Sequence, residues 1–176
     1  MFLETERLIL RKFREEDFDD FCEYAIDPEM CRMMGREDIH DAASARPTFD
    51  WLKDKEPRGY VLVLKENNKV IGNLTVYNTC YLQETVDALK GKVGRSLSFS
   101  ISRHYQRRGL MFEAVQSVID YLFETEGVDY IHCGNFDFNI PSRELQKKLG
   151  FTHLTTEHFT ENGVEYTSSE NILWRK

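Results

Sequence analysis

Positive charge is in short supply in this chain of 176 residues. Lys and Arg number 23 against 30 Asp and Glu, for a formal net charge of -7. That excess of acid argues against a general nucleic-acid binder, which must neutralise phosphates with surplus cations. It favours cationic partners such as amines. Long apolar runs are also missing. No stretch approaches the roughly 20 residues needed to cross a bilayer, and the opening MFLETERLILRKF mixes charges into its first apolar run, unlike a signal peptide. A cytoplasmic protein with no membrane partner is expected. Cys22, Cys31, Cys80 and Cys133 form no C-x-x-C pair, as suits a reducing compartment, and Cys133 reads as a core residue. The five histidines make no H-x-x-x-H pair, so no metal is expected. None stands in a spacing that supplies a nucleophile with a base, as ping-pong chemistry requires. Both glycine-rich nucleotide signatures are absent as well.

What is present is enough apolar material for one domain over residues 1–176, with 41% hydrophobic and 12% aromatic residues. Glu6 to Lys12 alternates and reads as a strand. Arg14 to Ile26 has helical spacing with Glu15-Glu16-Asp17 as a solvated start, and Asp27-Pro28 reads as its stop. Residues 31–47 carry no clear period, and Pro47 to Asp54 reads as a second helix. Strands are predicted over Tyr60 to Leu64, Val70 to Tyr77, Arg95 to Ser102 and Asp129 to Phe136, with residues 79–94 as an excursion. Arg107 to Glu126 has an apolar stripe from Met111 through Ala114, Val115, Val118 and Leu122 to Phe123, and Gly127 follows as a cap. Asn139 can cap a short helix to Leu149, with Pro141 in its first turn and Gly150 as its stop. Asn162-Gly163 predicts a hairpin between Thr152 to Thr160 and Val164 to Trp174. The order β-α-α-β-β-β-α-β-α-β-β implies a layered α/β domain.

The chemistry concentrates where a strand runs into an Arg-rich turn and a long helix. A helix's first turn carries backbone N–H groups without partners and partial positive charge, so a phosphate fits there. Gly109 permits close approach of a ligand. Arg103, Arg107 and Arg108 can add charge-assisted contacts.

Gln106-Arg107-Arg108-Gly109-Leu110-Met111 resembles the Q/R-x-x-G-x-G/A signature of the GNAT superfamily of N-acetyltransferases. Leu3 to Arg11 is similar to the opening strand of its ribosomal-protein-alanine N-acetyltransferase-like branch. Asn139-Ile140-Pro141-Ser142 and Lys148-Leu149-Gly150-Phe151 resemble that branch's N-x-x-S and K-L-G-F segments. Met111 departs from the pattern, which prefers Gly or Ala there. The resemblance implies a single GNAT domain, a mixed, mostly antiparallel sheet with splayed strands, flanked by helices. It implies an acyltransferase using acetyl-CoA as co-substrate. Amides from Gln106 to Met111 would hold the pyrophosphate of coenzyme A. The pantetheine arm would lie along the strand ending at Ile101, where it splays from Tyr130 to Phe136. Asn139 would contact the arm, and Ser142 would stand near the thioester sulfur as the catalytic proton donor. The acceptor would be a protein N-terminus or a small amine, attacking directly. Ser96, Ser98 and Ser100 occupy the strand positions where related enzymes place a glutamate base, so the base is unassigned. Met111 and that missing glutamate motivate the alternative, a non-catalytic acyl-CoA-binding module. Oligomeric state stays open, a homodimer among the options.

Overall fold

The computed structural model describes residues 1–36, 38–54, 58–161 and 163–176. Asn162, half of the predicted hairpin turn, lies outside them. The chain groups into two compact units, Met1–Tyr77 with Phe99–Val118, and Asn78–Ser98 with Ile119–Lys176.

In the first unit, β1 (Leu3–Glu4) folds back antiparallel on β2 (Leu8–Lys12), so the predicted first strand is two short ones. The alternation places Leu8 and Leu10 in the core. β3 (Arg58–Leu64) and β4 (Lys69–Tyr77) extend the antiparallel run β1-β2-β3-β4, with the last residues of β5 (Gly94–Ile101) beside β4. Backbone contact there is close: a Cβ on Gly72 would meet the Ser100 carbonyl oxygen at 2.3 Å.

The helices of this unit correct two expectations. Asp27-Pro28 ends α1 (Phe18–Ala25) but also opens α2 (Pro28–Met34). The Asp27 carboxylate accepts from the amides of Glu29 and Met30, and proline sits in the first turn, where its missing N–H costs nothing. α3 (Ala42–Asp54) starts before Pro47 because Asp41 and Ser44 satisfy each other's amides in a reciprocal cap. Asp17 is not a solvated residue of a helix start. It is buried, and Arg11 grips it with two bonds of 2.7 and 2.8 Å. Phe13, Phe21 and Phe49 pack edge to face above the strands.

In the second unit the start of β5 pairs in parallel with β6 (Tyr130–Phe136), which pairs antiparallel with β8 (Val164–Trp174), and β8 with β7 (Thr152–Glu161). Among the described residues the parallel ladder covers Gly94–Ser96 and Tyr130–His132. α4 (Leu110–Glu124) passes from the first unit into the second and buries Met111, Ala114, Val115, Val118, Ile119 and Leu122, as its stripe predicts. α5 (Ile140–Lys148) is capped by Asn139, whose side chain accepts from the Ser142 amide at 3.2 Å. The protein is α/β, with eight strands among the described residues, in mostly antiparallel pairings, and helices alongside. No helix among the described residues is long and apolar enough to cross a membrane.

Candidate active site

The turn from Ser102 to Leu110 is a backbone device. Ser102 anchors it by donating its amide to the Ile71 carbonyl at 2.8 Å, and one helical turn, Arg103–Tyr105, follows. Arg107 then takes φ 60° and Gly109 φ 77°, while Arg108 between them stays on the negative side. Alternation of φ sign turns successive N–H groups toward one point, the geometry of an anion nest. Among the described residues, the amides of Arg107 through Met111 have no acceptor from the protein. Around Gly109 there is open space, since an added Cβ would meet nothing nearer than the Arg7 guanidinium at 3.5 Å.

The predicted side chains divide sharply around this nest. Arg107, Arg108 and Gly109 are exposed. Arg108 lays its guanidinium over the Tyr105 ring at 5.3 Å, and its carbonyl accepts from Arg7. Arg7 in turn is clamped on Glu113 at 2.6 Å, fixing the first turn of α4 to the β1–β2 corner. Arg103, expected to add charge for a phosphate, gives both its Nε and Nη2 to Asp27, at 2.7 and 2.6 Å. The Gln106 side chain donates to the Ile101 carbonyl and to Met30 Sδ, so it braces the turn from inside. Leu110, Met111 and Ile101 are buried and offer the backbone alone. Met111 packs into the core, which removes its bulk from the nest.

Asn139 and Ser142 belong to the other unit. Ser142 Oγ accepts a 3.0 Å bond from Gln146 Nε2, which also donates to the Gly134 carbonyl at 3.4 Å. Asn171 donates to Gln146 Oε1 at 2.8 Å and to Asn135 Oδ1. Gln146 is 1% exposed. With one lone pair of Ser142 occupied by this fixed donor, its hydroxyl hydrogen is free to point elsewhere.

One cluster was invisible in the sequence. His132 Nε2 meets Glu170 Oε2 at 2.7 Å, and its Nδ1 meets Ser96 Oγ at 3.0 Å. Ser168 Oγ donates to the other Glu170 oxygen at 2.6 Å. Tyr81 packs edge-on to the imidazole. Cys80 is buried, and its thiol feels the His132 imidazole. Burial works against the imidazolium, but its interactions with Cys80 and Glu170 outweigh it and push His132 up to about 9. Burial likewise works against the Glu170 carboxylate, yet its donors His132 and Ser168 hold it below its ordinary value. The Cys80 thiol is also held below its usual range, because His132 overcomes the burial that would raise it. His132 thus stands between a carboxylate and a serine hydroxyl in a cluster that local spacing does not show. Partners 38 residues apart meet through strand pairing, which no local spacing reveals. Cys133 behaves as expected, a buried thiol pushed well above its ordinary value.

Residues 7–152 match the family model for an acetyltransferase (GNAT) domain. The N-acetyltransferase p20 of Bacillus licheniformis is 31% identical over 85% of this chain and 81% of its own length. N-acetyltransferase YoaA of Bacillus subtilis is 27% identical over 95% and 93%. A GNAT-family acetyltransferase structure from Bacillus anthracis superposes with TM-score 0.82 at 17% identity, covering 99% of this chain and 98% of that one. The ribosomal-protein-S5-alanine acetyltransferase of Vibrio fischeri gives 0.70 at 18%, covering 99% and 96%. Family match, curated relatives and fold agree, and the chain belongs to the GNAT family as an enzyme of the N-acetyltransferase class.

Proposed function

We propose that this enzyme moves an acetyl group from acetyl-coenzyme A to a primary amine, on a small molecule or a protein N-terminus, by direct attack. The observation that carries the reading is the run of amides from Arg107 to Met111. They sit in a turn of alternating φ and have no acceptor within the described protein. Converging amides favour an anion, and a diphosphate satisfies several at once. Arg107 and Arg108 flank the nest with exposed charge. The arm of the cosubstrate then follows the backbone of β5 beyond Ser96, pairing as an added strand does. The one-domain reading of residues 1–176 belongs to this proposal, and the family match from 7 to 152 runs through both units.

The cosubstrate supplies an activated thioester. The amine must be neutral to attack, and alkyl amines titrate near roughly 10, so its proton goes to water first. Ser142 stabilises the departing thiolate by donating its hydroxyl hydrogen, an orientation favoured because Gln146 already donates to its oxygen. Gln146 is a positioning residue. Asn139 fixes the start of the helix that carries Ser142.

Two measurements test this. Calorimetry should detect coenzyme A binding, and incubation with acetyl-CoA and an amine panel should release thiol. Binding without release from any amine would favour an acyl-CoA-binding module, and absence of both would overturn the reading.

A further inference from the structure

β5 and β6 separate at a definite rung. Among the described residues their parallel ladder covers Gly94–Ser96 on one strand and Tyr130–His132 on the other, yet β5 runs on to Ile101 and β6 to Phe136. Ser96 and His132 are the last pair of that ladder. Their side chains meet as well, with Ser96 Oγ and His132 Nδ1 3.0 Å apart. The other ring nitrogen, Nε2, lies 2.7 Å from Glu170 Oε2, and Ser168 Oγ donates to Glu170 Oε1 at 2.6 Å.

These bonds decide which groups donate. An ionised carboxylate only accepts, so His132 donates from Nε2. The His132 and Glu170 side chains are each 5% exposed, and a carboxylate at that depth keeps its charge through a cation or several donors. As an imidazolium, His132 donates from Nδ1 too, into one lone pair of Ser96 Oγ. The hydroxyl hydrogen of Ser96 is then turned away from the ring. Among the described residues it has no bond to another protein acceptor. The Cys80 thiol, which feels Ser96, is a weak acceptor. Ser96 is half-buried, while His132, Glu170 and Cys80 are buried. The cluster thus presents an open donor at the rung where the ladder ends.

We infer that Ser96 is a further catalytic residue, a hydroxyl donor to the carbonyl oxygen of the thioester, and that His132 and Glu170 position it. This rests on the acetyltransferase reading above. The arm of acetyl-CoA takes the backbone groups of β5 that β6 leaves unpaired, and it goes no deeper than the rung where β6 reclaims them. The thioester at the end of the arm therefore stops beside Ser96. As the amine attacks, negative charge gathers on the carbonyl oxygen, and a fixed O–H aimed at it stabilises the transition state more than the ground state. Ser96 gives up no proton. The C–N bond forms, the C–S bond breaks, the charge on oxygen returns to the carbonyl as the thiolate leaves, and the proton shed by the amine goes to water. Ser142 serves the sulfur and Ser96 the oxygen.

The test is thiol release from acetyl-CoA by the intact protein at about pH 8, over a panel of alkyl amines and unblocked peptides. Ser96→Ala should lower kcat by about tenfold with coenzyme A affinity and circular dichroism unchanged. Ser96→Thr, which keeps the hydroxyl, should recover most of the loss. A double-mutant cycle tests the positioning. In Glu170→Gln the imidazole loses its anion and is neutral at that pH, so Nδ1 accepts the Ser96 hydrogen, and adding Ser96→Ala should cost less than about twofold. The ratio of wild-type to Ser96→Ala kcat should likewise fall toward one as pH rises through about 9, where His132 loses its charge. The titratable groups facing His132 are Glu170 from β8 and Cys80 and Tyr81 from the excursion before β5. Equal losses in Ser96→Ala and Ser96→Thr, or the same cost of Ser96→Ala with and without Glu170, would overturn the assignment. So would an acetyl ester on Ser96 found by mass spectrometry after acetyl-CoA alone, since the serine would then be a nucleophile. Wild-type thiol release indifferent to Ser96 sinks this inference alone. No thiol release by the wild type with any amine sinks the acetyltransferase reading and this inference with it.

Discussion

Two glycines mark two regions of the molecule, and they are glycine for opposite reasons. Gly109 sits at φ 77° with open space around it, so conformation and not space disfavours other residues. Gly134 lies in a strand, where any residue can adopt the backbone, but its space is taken by the Glu170 carboxylate. The turn around Gly109 recognises with amides that consecutive residues present. The cluster beside Gly134 is built of side chains drawn from β5, β6, β8 and the excursion before them. Backbone recognition is a local property of sequence, and side-chain recognition across a sheet is not.

The largest effect expected is at Gly109. Gly109→Trp should weaken coenzyme A binding by more than about a hundredfold while circular dichroism stays that of the wild type, because the added ring meets space and not core. Unchanged affinity by calorimetry would place the diphosphate elsewhere. Next comes the Ser142 device. Ser142→Ala should lower kcat by about ten- to a hundredfold with little change in cosubstrate affinity. Gln146→Leu should lower kcat by a similar factor although it touches no substrate, and Gln146→Glu, which can still occupy the same space, should not restore it. Wild-type kcat in Gln146→Leu would show that the serine hydroxyl needs no positioning.

The same contrast explains what could be read from the sequence. The nest, the Asn139 cap, the stripe on α4 and most strands follow from residues within a few positions of one another, and Gly109 and Pro141 stand where local rules put them. Asp27-Pro28 was ambiguous because one dipeptide both stops a helix and starts one, and only the two amides that Asp27 accepts decide between them. Arg103 looked available for a phosphate until α2 supplied Asp27. The His132, Cys80 and Glu170 cluster had no local signature, since three separate segments must pair in register before any of its bonds exists.

On the sheet side, pH offers a sharper probe. His132 is pushed up to about 9 from an ordinary value of 6.5. Its contribution to stability is fully present below 6.5 and is lost as pH rises through about 9. Glu170, held below its ordinary 4.5, contributes above that value and loses its contribution as pH falls through the lowered one. The wild type should therefore hold a plateau in Tm between about pH 4.5 and 6.5 and lose several degrees between about pH 6.5 and 9. Glu170→Gln should shift the His132 titration, followed by NMR, back toward its ordinary value and flatten the alkaline decline. A His132 titration indifferent to Glu170 would break the pair.

The smallest effect belongs to the turn, and it separates backbone from side-chain recognition most directly. If amides hold the diphosphate, removing a neighbouring guanidinium that is already spent should matter little. Arg103 gives its donors to Asp27, in a pair whose arginine side chain is 54% exposed, and such surface pairs contribute at most about 1 kcal/mol. Arg103→Ala should change coenzyme A affinity by less than about threefold and leave its salt dependence as it was. Arg107→Gly removes an exposed charge but relieves a residue held at φ 60°, so the lost attraction and the relaxed backbone oppose each other, and affinity should again move only a few-fold. Should either substitution cost as much as Gly109→Trp, the guanidinium groups and not the amides would carry the recognition. The turn would then depend on side chains just as the cluster beside Gly134 does.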